Sequence, residues 1–121
     1  MDSALEEKFD EGNLHLALGE LDDAAAAYRA CVEVDPTFFD GWHALSMVLM
    51  KSGHYPEAIE AGLQATKLKP NEQLAWSSLS LCYVRNGQIA EAEAAGAKAR
   101  ILSWGGKVVN DDGSDRDLSP L

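Results

Sequence analysis

The chain has 121 residues, 46% of them hydrophobic and 25% charged, with a net charge of −10. That is enough for one folded domain with a modest core, and too apolar for a disordered chain. Residues 1–40 hold eleven acids against Lys8 and Arg29, residues 41–110 five acids and seven bases, and residues 111–121 four acids and Arg116. No basic stripe for a nucleic-acid backbone results. No run of about 18 apolar residues exists, so no membrane span is expected. The N-terminus, Met1-Asp2-Ser3-Ala4-Leu5-Glu6-Glu7, is acidic where a secretory signal is basic and then apolar, and a cytoplasmic protein is expected.

Taken in order, the elements repeat. Ser3-Ala4-Leu5-Glu6 has the form of a capping box and opens a first helix, which Gly19 ends. Asp22-Asp23 starts a second helix with acids favourable at its N-terminus, and Asp35-Pro36 closes the unit. Trp42, Leu45, Val48 and Leu49 then recur at helical spacing, with Met47 and Met50 on a second apolar face. Ser52-Gly53-His54 breaks that helix. Pro56 sits where a first turn tolerates it, and Ala58, Ile59, Leu63, Ala65 and Leu68 carry the next helix to Pro70-Asn71. Leu74 to Arg85, a break at Gly87, and Ala90 to Leu102 complete the third unit.

The three units align at a fixed offset of 34 residues: Gly19, Gly53 and Gly87; Ala24, Ala58 and Ala92; Trp42 and Trp76; Pro36 and Pro70. Such a period means one supersecondary unit repeated and stacked, because one unit alone cannot bury its apolar face. The repeats are placed at about residues 5–38, 39–72 and 73–104 of a domain over 1–104, followed by an acidic, glycine-containing tail over 105–121. Trp104, Val108 and Val109 are expected to fold back over the last helix pair, leaving the chain after Asn110 mobile.

These residues resemble the tetratricopeptide repeat family. Trp42…Leu45…Leu49…Gly53…Tyr55…Ala58…Ala65…Pro70 is a close match to its motif. Trp76…Leu79…Tyr83…Gly87…Ala92…Ala99 is nearly as close, and Gly12…Gly19…Ala24…Tyr28…Pro36 is recognisable. The resemblance covers about residues 5–104. It implies an all-α, right-handed superhelical solenoid of three antiparallel helix pairs, with a concave groove lined by the first helix of each pair. Lys8 and Glu11 stand where later units have tryptophan and leucine, as suits an end unit that is not covered. Gly62 and Gly96 replace the bulky residue matched by Tyr28, which implies closer helix approach.

Carried over position by position, the resemblance places Phe9, Asp10 and Asn13 of the first unit in the groove. The second unit contributes Asp40, His43, Met47, Met50 and Lys51, and the third Leu81, Val84 and Arg85. Phe9, Met47, Met50, Leu81 and Val84 form an apolar strip of the kind that marks interaction sites. Methionine suits it, being able to repack around different ligand shapes. Acids gather towards one end of the groove and Lys51 and Arg85 at the other, and His43 beside Asp40 is a candidate for tuning binding between about pH 6 and 7. The clamp with which some family members grip acidic chaperone tails is missing. Only Asn13 matches it, and its other sites carry Phe9, Ala44, Leu74 and Ser78.

No catalytic constellation is evident. His15, His43 and His54 stand in no metal-ligand spacing. Cys31 and Cys82 fall in apolar helical registers, as small buried hydrophobes. No enzyme activity, cofactor or metal is expected. The sequence reads as a protein-binding module for a peptide or helix of a partner. A self-assembling scaffold (a homo-oligomer) or a regulatory fragment of a larger enzyme are the alternatives.

Overall fold

Three glycines set the frame of the computed structural model, which describes residues 3–116. Gly19, Gly53 and Gly87 have φ of 76°, 83° and 78°, the left-handed region that glycine enters at no steric cost. At each, the chain closes the same two backbone bonds. Gly19 N–H donates to Leu16 O at 3.0 Å and Glu20 N–H to His15 O at 2.9 Å; the pairs at Gly53 and Gly87 match them. These bonds satisfy carbonyls that a helix end otherwise leaves open.

The turns separate α1 (Ser3–Ala17), α2 (Leu21–Val34), α3 (Phe39–Lys51), α4 (Tyr55–Leu68), α5 (Gln73–Arg85) and α6 (Ile89–Ser103). The third-unit helices each start one residue earlier than the sequence implied. Ser3 and Glu6 of the expected capping box are both described, and both lie within α1.

Each unit packs its two helices together, α1 on α2, α3 on α4 and α5 on α6, and the units join through α2–α3 and α4–α5. The first helix α3 also meets the first helix α5, whereas α2–α4 and α4–α6 make at most marginal contact. The array is thus closer along α3 and α5 than along its second helices, which splay. A main core runs through it, with Tyr28, Val48, Leu79 and Cys82 fully buried, and a smaller cluster of Leu5, Cys31 and Phe38 lies beside it. Burial of such side chains is worth about 1.5–3 kcal/mol each and dominates stability.

Polar bonds recur with the same period. The indole N–H of Trp42 donates to Pro36 O at 2.7 Å, and that of Trp76 to Pro70 O at 2.7 Å. Ser46 Oγ donates to Ala58 O at 2.8 Å, and Ser80 Oγ to Ala92 O at 2.7 Å. The serines hold first helix to second helix, and Gly62 and Gly96 lie beside them. The closer approach expected from those glycines is present at Gly62, where an added Cβ would stand 3.2 Å from Ser46 Oγ.

The tail differs from expectation in two ways. Val108 folds back and is 6% exposed, but Trp104 points away and is 79% exposed. The chain after Asn110 is also not loose. Asn71 Oδ1 accepts the N–H groups of Val108 (2.8 Å) and Val109 (3.1 Å), and Asn71 Nδ2 donates to Val109 O at 3.2 Å. A turn then returns the chain, with an isolated bridge between Val109 and Asp115 and Arg116 N–H bonded to Val108 O at 3.1 Å. Residues 117–121 of the expected tail lie outside the described residues.

Candidate functional site: the face of the first helices

The 34-residue step lines up side chains across α1, α3 and α5. Asn13, Met47 and Leu81 form one row, and Leu16, Met50 and Val84 a second. Their exposure is graded. Met47 and Met50 are half-buried, packed on the core, whereas Leu81 and Val84 are 39% and 47% exposed. The cause is stacking: α5 lies against α3, and among the described residues no further first helix lies against α5.

Phe9 is drawn further in than an open groove residue would be. Its ring lies 5.6 Å from that of Tyr28 and 5.2 Å edge-on from that of Phe38. Phe9, Met47 and Met50 therefore offer the groove only part of each side chain. Asn13 is exposed, and its Oδ1 accepts the Tyr28 hydroxyl at 2.7 Å. Asp10 and Asp40 are exposed on α1 and α3. Lys51 and Arg85 stand exposed in the last turns of α3 and α5, where a cation complements the helix dipole.

His43 is the best anchored of the set. Its Nε2 lies 3.1 Å from Ser78 Oγ on α5, and its ring stacks on Phe39 at 5.9 Å and 4°. Lys69 Nζ covers the same Phe39 ring at 4.7 Å. Burial holds the imidazole below its ordinary range, and Asp40 and Glu72 only partly offset this. The window expected for His43, about pH 6 to 7, therefore moves lower, and the ring is neutral at pH 7.

Burial also pushes both thiols up, so neither Cys31 nor Cys82 is a thiolate at neutral pH. One grouping escaped the sequence. His15, Glu20 and Asp23 meet at the α1–α2 turn with ligand atoms within 4.8 Å of one another. Both carboxylates are exposed and His15 Nδ1 already lies 3.3 Å from Glu20 Oε1, and the three residues are one ligand short of a closed four-ligand shell.

Two family models, each described as tetratricopeptide repeat, match residues 43–107 and residues 9–38. No curated protein matches the chain in sequence. Solved structures of similar fold include the Yersinia enterocolitica type III secretion chaperone SycD in complex with a peptide of the translocator YopD. It is 20% identical, with 84% of this chain and 78% of that chain covered and a TM-score of 0.79. PcrH in complex with the chaperone binding region of PopD is 19% identical, with 93% and 82% covered and a TM-score of 0.81. MamA is 24% identical, with a TM-score of 0.79; the match covers 84% of this chain but only 59% of MamA.

Proposed function

The chain belongs to the tetratricopeptide repeat family, and on that premise we propose that it is a protein-binding module whose groove on α1, α3 and α5 takes a peptide or helix of a partner. The observation that carries this reading is the exposed pair Leu81 and Val84, in step with Met47 and Met50 along the first helices. Apolar anchors supply the binding energy, with Asp40 and Lys51 orienting the ligand. Two chains of the same fold, SycD and PcrH, are solved with segments of their partners, which supports a binding role over catalysis. The free, unpaired cysteines support a reducing, cytoplasmic setting.

Leu81→Lys separates binding from folding, because Leu81 is already exposed. Peptides selected from a random displayed library on the native chain are expected to lose at least about tenfold in affinity, or 1.4 kcal/mol, on this variant. Undiminished binding would place the ligand elsewhere. The exposure of the same pair favours one second reading, self-association. Light scattering over a wide concentration range decides it, a constant 13.1 kDa speaking for the partner.

A further inference from the structure

Where the second helices splay, each gap opens a cleft floored by a tryptophan of the first helix beneath. One cleft, about 220 Å³, lies between α4 and α6 over Trp76, Leu79 and Tyr83. The other, about 260 Å³, lies between α2 and α4 over Trp42, Leu45 and Leu49. They are the same site one unit apart, each floor residue 34 positions from its counterpart.

Their contents differ. Between α4 and α6, Lys98 lays its ammonium over the Trp76 ring, 4.4 Å from the centroid. Glu91 is the only carboxylate lining that cleft, so its charges cancel. Between α2 and α4, the place of Lys98 is taken by Gln64. Among the described residues no cation covers Trp42. Glu33, Glu57 and Glu60 line this cleft against Arg29 alone, a net charge of −2. Arg29 itself is engaged by Glu57 at 3.5 Å.

We propose that the cleft between α2 and α4 receives a lysine or arginine side chain from a basic segment of a partner protein, its cation over Trp42 and beside Glu33 and Glu60. The chain's own third unit shows that the shape holds a cation on its tryptophan. The face of an indole attracts a cation through its quadrupole, and the flanking carboxylates add to that attraction. A net charge of −10 repels a second copy of this chain and draws a basic partner. The cleft lies on the second helices, so this site stands apart from the groove and does not depend on it.

The test uses the full chain, labelled with ¹⁵N, and two probes, N-acetyl-lysine amide and N-acetyl-norleucine amide, which share a four-carbon stem and differ in charge. Each indole N–H is fixed by its own carbonyl, Trp42 on Pro36 and Trp76 on Pro70, so each peak reports its own ring. Saturable movement of the Trp42 peak with the lysine probe is expected, with none from norleucine and none at Trp76. Gln64→Lys supplies the chain's own cation and is expected to abolish the response at Trp42. Lys98→Gln uncovers Trp76 and is expected to make its peak respond. No saturable shift at Trp42, an equal shift with norleucine, or a Gln64→Lys protein that titrates as before would each overturn the proposal. A Trp42 shift that follows protein concentration without any probe would give the cleft to a second copy, and overturns the assignment to a partner.

Discussion

Tyr28 presses its ring into the space that a side chain on Gly12 would need, its Cε1 standing 2.5 Å from the ideal Cβ position. Tyr28 is fully buried and its hydroxyl is held by Asn13, so the ring has nowhere to swing. Gly12→Ala is expected to destabilise the chain by about 1–3 kcal/mol, outweighing the gain of up to about 1 kcal/mol in helix propensity. Urea unfolding reads this directly, and an unchanged or raised midpoint would contradict the packing.

The later units use the opposite arrangement. Ser46 and Ser80 stand in step with Gly12, and Gly62 and Gly96 in step with Tyr28. A Cβ on Gly96 would meet only Ser80 Oγ, at 3.4 Å, whereas one on Gly62 would meet Leu79 Cδ1 at 3.1 Å and Ser46 Oγ at 3.2 Å. Gly96→Ala is expected to stabilise by up to about 1 kcal/mol, and Gly62→Ala to gain less. The reverse order in unfolding midpoints would show that the units are not packed this way.

Protonation of His43 works against the fold. Because burial depresses its pKa in the folded state, the ring is neutral in both states above about pH 6.5 and contributes no pH dependence there. As pH falls below that value the unfolded chain takes up the proton first, and stability declines until the lower folded pKa is passed. Urea midpoints are expected to drop from pH 7 to pH 5 and to drop less in His43→Gln. Parallel slopes for the two proteins would mean that His43 is not buried as described.

Asn71 is the only side chain among the described residues that bonds the backbone of Val108 and Val109. Asn71→Ala removes three bonds and leaves a partly buried N–H unpaired, a cost of about 1–3 kcal/mol. Hydrogen exchange is expected to show the amides of Val108 and Val109 losing protection while those of α3 keep theirs. Retained protection at Val108 would mean that the tail is held by something else.

The repeat was legible because its signals are local or periodic. Gly19, Gly53 and Gly87 mark the turns through their own backbone freedom, and Trp42/Pro36 and Trp76/Pro70 recur at one offset. What the sequence did not convey depends on how far one helix leans on another. Met47 and Met50 lie on the first-helix face in helical register, but their packing on the core half-buries them. Phe9 was drawn to Phe38, 29 positions away, for the same reason. The docking of Val108 and Val109 rests on Asn71, whose distance in sequence gives no pattern to read, whereas the turn after Asn110 is closed by local bonds between Asn110 and Ser114 and between Asp112 and Ser114. The cleft over Trp42 leaves one mark in the sequence, Gln64 where the next unit has Lys98, while its depth is set by the splay of α2 from α4.

The central claim, that the first helices carry the ligand, is tested most directly by mapping a selected peptide onto the chain by ¹H–¹⁵N chemical-shift perturbation. Shifts concentrated on α1, α3 and α5, strongest around His43, Met47, Leu81 and Val84, are predicted. Shifts confined to α2, α4 and α6, with those four residues unmoved, would contradict it.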